Sequence, residues 1–398
     1  MKKSVSILII LTFVFALVFF CGGNVLAKNP KLPNMLRIWT HGSGTTGYYS
    51  AMGMGPVIQE RTGMLVRLVP AESDVARFMG AKQLAKGSQS SVLLLTDAST
   101  WTASRAALDF AAPQWGPQKV RLIYGGTGLH MGVMTRADSG IKVMSDLKGK
   151  RWPRLLGYPA VDLFHNAFLA FGGLTNDDVK LVTYSSWSDA MRSVLRGECD
   201  ATGTTFTTAA AVETAAGPHG IYHIPMPPDD KKAWDRFHEY MPFAHPHLNT
   251  RGGGLSPENP HHGMSYREPY SGYAHVPDEV VYAFAKAAYE GYDDFKDKHS
   301  DLVDFSPDCT VEHITEYPIP MHPGSIKFFK EIGKWNDKAQ KWQEERLLLE
   351  EEIEKAWLEA PFAAEKVGIN LGGKGWVDFW EKFRNERLSK LDLKYAYK

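Results

Sequence analysis

The chain has 398 residues and carries equal numbers of basic and acidic side chains, 45 of each, so its formal net charge is zero. A chain without a basic excess lacks the electrostatic signature of nucleic-acid binding, which excludes that class of partner. The length is sufficient for two domains, each with its own hydrophobic core.

Residues 1–27 have the pattern of a secretory signal peptide. Two lysines at the start precede an apolar run over residues 7–20, and Ala27 ends a small-residue cleavage site. The apolar run is shorter than the roughly 20 residues that a membrane anchor needs. A lipid anchor on Cys21 is a second alternative, but two bulky phenylalanines precede that cysteine. We therefore predict cleavage after Ala27 and a periplasmic mature protein.

Strand-like and helix-like segments alternate over residues 36–135. The predicted strands are 36–39, 66–69, 91–96, 120–124 and 131–135, and the predicted helices are 48–61 and 74–86. This alternation predicts a parallel sheet with helices on both faces. On the second helix, Val75, Phe78 and Met79 share one face and are predicted to point inward.

A second α/β block is predicted from Asp138 onward. Its predicted strands are 151–156, 179–184 and 200–206, and its predicted helices are 143–148, 162–171 and 189–196. The segment from Pro225 to Pro269 is rich in Pro, Gly and His, and it is predicted to be long irregular surface. Two further helices are predicted over residues 278–295 and 334–359, the latter docked on the outside by an apolar stripe.

The segment Gly42–Gly47 has the spacing G-x-G-x-x-G between a predicted strand and a predicted helix. This spacing is a weak signature of nicotinamide cofactor binding, and its acidic partner would have to be Glu72, which comes late. We predict no cofactor, and we expect the free amides of this turn to attract an anion. A tight turn without any ligand is the alternative. The candidate ligand-binding side chains of this turn are Thr45, Thr46, Tyr48 and Tyr49.

Polar residues at other strand ends are further candidates, because ligands of open α/β sheets lie beyond the carboxyl ends of strands. Ser73 precedes a helix and can face a ligand or cap that helix. Asp97 can orient an amine of the ligand or cap a helix that starts at Ala98. Thr204 and Thr205 end a threonine-rich strand, which fits both a cleft lip and ordinary β propensity.

The histidines and cysteines give no metal or catalytic motif. His245, His247, His261 and His262 match no standard zinc spacing, so we predict no metal. Cys199 and Cys309 remain after cleavage, and the sequence leaves open whether they form a disulfide or two buried thiols. No nucleophile motif stands out, and we predict that the protein is not an enzyme.

Several segments resemble one family of transport receptors. These segments are Gly44-Thr-Thr-Gly-Tyr-Tyr49, Arg136-Ala-Asp-Ser-Gly-Ile141, Ser145-Asp-Leu-Lys-Gly-Lys-Arg151, Gly173-Leu-Thr-Asn-Asp-Asp-Val179, Ala190 to Asp200, Pro277-Asp-Glu-Val-Val-Tyr282 and Ile319-Pro-Met-His-Pro-Gly324. The chain from about Leu36 to Gly333 is similar to the TAXI-type solute receptors of tripartite (TRAP) periplasmic transporters, and the segment from Arg136 to Arg151 is the most specific element.

The resemblance implies a periplasmic binding protein-like α/β fold with two lobes joined by extended hinge segments. It implies a first lobe of residues 28–128 plus 270–333, a second lobe of 129–269 and a C-terminal helical extension of 334–398. A small organic anion, a carboxylate, would be held in the cleft and delivered to the TRAP membrane subunits. The alternatives are a solute receptor of an ATP-driven importer, an exported enzyme or metal-binding protein on the same fold, and a purely structural protein.

One segment departs from the family pattern. Where the family has a small Gly-Ser-Gly-Thr turn that hydrogen-bonds the solute, this chain has Tyr158-Pro-Ala-Val161. Backbone donors and a hydroxyl are lost and an aromatic ring is gained. We therefore expect Tyr158 to shape selectivity, in favour of a more apolar or aromatic acid than glutamate.

Overall fold

The computed structural model describes residues 32–84, 90–126 and 128–394. The predicted signal peptide lies outside the described residues. Within those residues, no helix combines the length and the apolar character that crossing a bilayer requires.

The described residues form twelve strands. They are β1 Met35–Thr40, β2 Leu65–Pro70, β3 Ser90–Leu94, β4 Val120–Gly125, β5 Leu129–Arg136, β6 Arg151–Leu155, β7 Lys180–Tyr184, β8 Ala201–Thr205, β9 Ile221–Ile224, β10 His245–Asn249, β11 His261–Tyr266 and β12 Pro269–Tyr273.

Thirteen α-helices are present in the same described residues. They are α1 Thr46–Thr62, α2 Asp74–Leu84, α3 Asp97–Ser104, α4 Pro159–Phe171, α5 Trp187–Arg196, α6 Ala209–Ala216, α7 Lys231–His238, α8 Asp278–Glu290, α9 Tyr292–Phe295, α10 Cys309–Glu312, α11 Pro323–Glu331, α12 Asp337–Glu365 and α13 Trp376–Leu388.

The first sheet has the strand order β2-β1-β3-β12-β4. β1 pairs in parallel with β2 and β3, whereas β12 is antiparallel to both β3 and β4. The prediction of a purely parallel sheet was therefore wrong for one strand. The reason is topological, because β12 returns from the second sheet and enters between two strands that run the other way.

The second sheet is antiparallel, with the order β10-β11-β5-β8 and with β9 paired to β5. β6 and β7 form a separate parallel pair. The sequence pattern assigned the strand at 131–135 to the first sheet, and this was wrong, because β5 lies at the centre of the second sheet. The chain crosses between the sheets at two places, residues 126–129 and 266–269.

Each sheet has its own hydrophobic core. Leu36, Val92 and Phe284 belong to the first core, and Val133 and Phe168 belong to the second. A third cluster joins the faces of α12 and α13 to Ala106 and Ala111. The predicted fold class, two α/β lobes joined by extended hinge segments, is confirmed.

The segment Pro225–Pro269 is not the irregular surface that its composition predicts. It contains α7 and the antiparallel pair β10 and β11, and β11 continues the second sheet through β5. Pairing with a distant strand overrides the local preference of Pro, Gly and His for loops, because strand stability depends on cross-strand packing.

Three smaller predictions also need correction. Met79 is 46% exposed, although it was expected to point inward with Phe78, which is buried. The helix expected over 278–295 is broken at Gly291, where a Cβ atom would lie 2.5 Å from Cγ1 of Val57. The long helix begins at Asp337 and continues to Glu365, beyond the predicted end.

Candidate functional site

The predicted anion-binding turn lies at the carboxyl end of β1, facing the second lobe. Thr45 is the N-cap of α1: its Oγ1 donates to the Gly42 carbonyl at 2.7 Å and accepts from the Tyr48 amide at 3.3 Å. Gly44 has φ +88°, a conformation that favours glycine. The Thr45 hydroxyl therefore forms hydrogen bonds within the turn and stabilises it.

Thr46 reaches across to the second lobe. Its Oγ1 lies 3.0 Å from Oγ1 of Thr207, which donates in turn to Oδ2 of Asp301 at 2.8 Å. Thr207 follows β8 and Asp301 follows α9, so three separate segments meet at this point. Thr46, which the sequence predicted as a ligand-binding residue, thus makes a contact between the lobes, and its partner was not identified from the sequence.

Tyr48 and Tyr49 form an edge-to-face pair with ring centroids 5.8 Å apart. Tyr49 is 40% exposed and stacks on His299 at 5.9 Å. Its ring is therefore accessible to solvent, whereas the hydroxyls of the turn are buried.

The candidates Ser73 and Asp97 have local partners. Ser73 Oγ accepts from the Ala76 amide at 3.2 Å, as a helix cap does. Thr96, not Asp97, caps α3. Asp97 is buried against the returning hinge, where its Oδ2 accepts from the Arg267 amide at 3.0 Å. Burial raises the pKa of Asp97 well above its ordinary value.

Thr204 and Thr205 lie inside the second lobe. Thr204 Oγ1 donates to the Thr205 carbonyl at 3.0 Å and lies 3.2 Å from the hydroxyl of Thr208. Both residues are buried in β8. The Thr204 hydroxyl therefore bonds within the end of its own strand. The contact with the first lobe is made by Thr207 instead.

Tyr158 joins the candidate site to four residues that the sequence analysis missed. We call His41, Asp74, Arg77, Tyr158 and Glu268 the cleft cluster. All five residues are at most 5% exposed. Four of them come from the first lobe and the hinge, whereas Tyr158 precedes α4 of the second lobe.

The cleft cluster is a continuous chain of polar contacts. Asp74 forms an ion pair with Arg77, and Nη1 of Arg77 donates to the Tyr158 hydroxyl at 3.1 Å. That hydroxyl lies 2.7 Å from Nδ1 of His41, whose Nε2 lies 3.3 Å from Oε1 of Glu268. Because Arg77 can only donate, the tyrosine donates its proton to His41 Nδ1. The imidazole proton then lies on Nε2, which is near Oε1 of Glu268 but forms no hydrogen bond within the described residues.

Asp74 also forms a hydrogen bond between the lobes. Its Oδ1 accepts from Ser99 Oγ at 2.8 Å, and its Oδ2 accepts from the Ala160 amide at 3.0 Å. Ala160 lies in the first turn of α4, where unpaired amides attract a negative charge. In the turn Tyr158–Val161, a carboxylate of this chain therefore accepts from the Ala160 amide.

Burial controls the charges of the cleft cluster. Burial, aided by the nearby Arg77, lowers the pKa of His41 well below its ordinary value. Burial and the charge of Asp301 raise the pKa of Glu268 to about 8. Burial alone would lower the pKa of Arg77, but Tyr158 and Asp74 raise it overall. At neutral pH the cluster therefore holds a neutral imidazole, a largely protonated Glu268 and the Arg77–Asp74 pair.

Two weaker contacts also cross between the lobes at the first turn of α5. Ser186 Oγ donates to Oε2 of Glu72 at 3.0 Å, and Ser188 Oγ lies 3.4 Å from the Ser43 carbonyl. The described structure therefore has the lobes closed on each other.

Neither a metal centre nor a disulfide is present in the described part of the chain. No group of three or more His, Cys, Asp or Glu side chains is arranged to hold a metal ion among these residues. Cys199 and Cys309 are both buried free thiols, which settles the alternative that the sequence left open.

Some residues of the cleft cluster carried a recognisable signal in the sequence, and others did not. Arg77 lies next to Phe78 on the buried face of α2, and a charged residue on an apolar face is a recognisable signal. His41 directly precedes the glycine turn. Glu268 carried no local signal, because its position depends on the return of the chain to the first sheet.

Most of the chain matches one protein-family model. The model of the NMT1-like family matches residues 43–333. No curated protein sequence matches the chain significantly.

Several solved structures are similar at low sequence identity. A structure described as a periplasmic transporter has 13% identity and a TM-score of 0.47, covering 85% of this chain and 98% of its own. The periplasmic binding protein BugD has 13% identity and a TM-score of 0.47, covering 77% and 99%. MatC from Rhodopseudomonas palustris with bound malate has 11% identity and a TM-score of 0.47, covering 78% and 98%.

Proposed function

We propose that this chain, which belongs to the NMT1-like family of periplasmic solute-binding proteins, is a receptor that holds a small organic anion between its lobes and delivers it to a membrane transporter. We further propose that the first lobe comprises residues 28–128 and 270–333, that the second comprises 129–269, and that residues 1–27 direct export.

The cleft cluster is the observation that carries this proposal. A buried ion pair costs desolvation energy and is weak evidence for stability, so it needs another reason to be present. Here Arg77 lies where the lobes meet, and the phenol of Tyr158 reaches it from the opposite lobe. A two-lobed receptor needs such a contact, because the solute must favour the closed state over the open one.

The hydrogen-bond donors of the cleft cluster favour an anionic solute. Arg77, whose charge Asp74 balances, is a donor to Tyr158, and the Nε2–H of His41 and the protonated carboxyl of Glu268 are further donors. The first turn of α1 packs against the same residues, since a Cβ on Gly47 would lie 2.6 Å from His41 Cδ2 and 2.7 Å from Glu268 Oε1. A carboxylate entering the open cleft would meet donors of both lobes.

The predicted site residues divide into two groups under this proposal. Tyr158, Thr46, Tyr48 and Tyr49 line the boundary between the lobes and contact the solute. The other predicted residues do not contact the solute and instead stabilise the turns and the hinge that position the first group. They are Thr45, Ser73, Asp97, Thr204 and Thr205.

The transporter is proposed to be of the TRAP type. The segments Gly44–Tyr49 and Arg136–Arg151 resemble the TAXI receptors of such transporters, which favours TRAP membrane subunits as partners. A receptor for an ATP-driven importer is the second candidate, because the NMT1-like family shares the substrate-binding fold of those importers.

Binding is tested by calorimetry on the full mature chain with a panel of aliphatic, aromatic and amino-acid carboxylates. At least one carboxylate is expected to bind and to reduce the radius of gyration in X-ray scattering. The double variant Asp74→Asn/Arg77→Gln removes both charges together and is expected to weaken binding about tenfold or more. The matched control, Arg61→Gln/Asp294→Asn, removes an exposed pair of the same lobe and leaves binding unchanged.

A panel without any binding carboxylate would contradict the proposal, as would equal affinities of the two double variants. The transporter type is tested by uptake into vesicles that contain candidate membrane subunits. Uptake that continues without ATP supports the TRAP assignment, and uptake that requires ATP overturns it in favour of the importer.

A further inference from the structure

A cavity of about 510 Å³ lies between α13 and the second lobe, away from the cleft cluster. Its walls include Trp101 and Arg105 of the α3 region, Leu163 of α4, Tyr240 after α7, and Arg384 and Leu388 of α13. The volume is in the range of ordinary small-molecule pockets. Both lobes and the C-terminal extension therefore contribute to one concave site.

Two buried arginines line this cavity. Arg105 is 2% exposed and Arg384 is 6% exposed. The guanidinium of Arg105 lies 3.3 Å from the centroid of the Trp101 ring, and Nη1 of Arg384 donates to the Arg105 carbonyl at 3.0 Å. Burial, followed by repulsion from Arg346 and Arg384, lowers the pKa of Arg105 well below its ordinary value. An anion beside these groups would relieve that repulsion.

The wall that carries Arg105 has an unusual backbone. Ala106 has φ +50° and Leu108 has φ +52°, and they are the only non-glycine residues with positive φ in the described part of the chain. Trp380 of α13 holds this turn by donating from Nε1 to the Ala106 carbonyl at 2.8 Å. Strained backbone persists where the surrounding structure enforces it, and such positions cluster at functional sites.

The remaining lining defines the shape and polarity of an occupant. Leu163, Leu388 and Tyr240 offer apolar surface, whereas the cations lie together at one wall. Glu239 and Glu381 also line the cavity, and Glu239 is exposed. An occupant would therefore place one negative group against the arginines and keep an apolar body against the leucines.

We propose that this cavity is a second ligand site, separate from the site between the lobes, which binds a small amphipathic carboxylate. Because α3 packs on α4 while its far end joins the extension, an occupant contacts both lobes at once. Occupancy then favours the lobe arrangement in which these walls meet, which is the basis of coupling between two sites.

The location is tested by soaking crystals of the full mature chain with 6-bromohexanoate and locating the bromine by its anomalous signal. The expected result is a bromine peak between Leu163 and Leu388, with the carboxylate at the arginines. A peak only in the cleft between the lobes overturns this second site while supporting the proposed function. The absence of a peak in the cavity overturns it as well.

The chemistry is tested in solution by calorimetry with the same probe and with uncharged 6-bromohexanamide. The carboxylate is expected to bind at least about tenfold more tightly than the amide. Arg384→Gln is expected to lose this preference, whereas Arg387→Gln is the matched control, because Arg387 lies on the same helix and pairs with Glu352 and Glu359.

A second variant keeps the test decisive where Arg384→Gln fails to fold. Ser389 is exposed at the cavity wall, so Ser389→Trp obstructs the cavity without disturbing the core. It is expected to abolish binding of 6-bromohexanoate in the cavity. Retained affinity in Ser389→Trp overturns the proposal.

Discussion

The Tyr158 hydroxyl lies 2.7 Å from Nδ1 of His41, and this bond joins the second lobe to the end of β1. The same hydroxyl accepts from Arg77 at 3.1 Å, so one phenol satisfies two buried polar groups of the opposite lobe. Opening the cleft would separate the phenol from both of these groups. Water would then have to replace the phenol, so this oxygen contributes to the closed state beside the bond from the Ala160 amide to Asp74.

Tyr158→Phe removes the oxygen and leaves the ring in place. We expect the free energy of unfolding to fall by about 1–3 kcal/mol, because His41 Nδ1 loses its partner and Arg77 loses one of its contacts. In the absence of solute, the radius of gyration is expected to increase as the open state becomes populated. Urea denaturation and X-ray scattering measure the two effects.

The matched control for this change is Tyr222→Phe. The Tyr222 hydroxyl donates to the Lys142 carbonyl at 3.3 Å, and both residues belong to the second lobe. It is expected to leave both the stability and the radius of gyration almost unchanged. Equal behaviour of the two variants would show that Tyr158 does not hold the lobes together.

A second prediction concerns two glycines of helix α1. A Cβ on Gly47 would lie 2.6 Å from His41 Cδ2 and 2.7 Å from Glu268 Oε1, whereas a Cβ on Gly55 would lie 3.4 Å from the nearest atom, Cγ1 of Val66. Gly47→Ala is expected to cost at least about 1–3 kcal/mol of unfolding free energy and to weaken solute binding, since buried groups must shift.

Gly55→Ala serves as the comparison because it changes the same residue type in the same helix. It is expected to be neutral or to stabilise the protein by up to about 1 kcal/mol, owing to the better helix propensity of alanine. Thermal denaturation and calorimetry distinguish the two variants. If Gly47→Ala is as stable and as active in binding as Gly55→Ala, the close packing at the first turn of α1 is not required.

The sequence was sufficient to predict the two-lobed architecture. Apolar runs such as 91–96 predicted buried strands, and a second α/β block was predicted from Asp138 onward, whereas the arrangement as two lobes with hinges was implied by the family resemblance. These features depend on residues close to each other in the chain. They could be derived because local patterning and strand-end geometry agree with the final fold.

The centre of the cleft cluster could not be predicted in the same way. Glu268 enters the site only because β12 inserts between β3 and β4, and this pairing joins residues about 150 to 180 positions apart. Asp74 looked like an ordinary helix start, and its bond to Ala160 depends on closure of the lobes. Long-range pairing and lobe closure have no signature in local sequence.

The third prediction is a pH dependence at Glu268. Folding raises the pKa of this carboxyl from an ordinary value of 4.5 to about 8, so the folded state binds more protons between these pH values. Its contribution to stability is therefore fully present at low pH and is lost as the pH rises toward 8. Glu268→Gln cannot ionise and avoids that loss.

The stability of Glu268→Gln relative to the unmodified protein is accordingly expected to increase between pH 5 and pH 8. The upper limit of this increase is about 1.4 kcal/mol per pH unit. Urea denaturation across this range measures it, with the exposed Glu279→Gln as the control. A difference that stays constant with pH would mean that Glu268 ionises normally in the folded protein.

The last prediction tests how the C-terminal extension is attached. Trp380 is fully buried among the residues of α12 and α13, and its Nε1 donates to the carbonyl of Ala106, a residue held at positive φ. Trp380→Phe leaves that carbonyl without the indole donor and opens a small cavity, so we expect a loss of about 2 kcal/mol or more in unfolding free energy.

Trp335→Phe is the control, because its indole donates at 3.0 Å to the side chain of Gln340 at the start of α12 and has no part in the turn. Because the same turn carries Arg105, Trp380→Phe is also expected to weaken binding of 6-bromohexanoate, whereas Trp335→Phe leaves it intact. If Trp380→Phe retained full stability and full affinity for the probe, α13 would not be what holds the Ala106 turn in place.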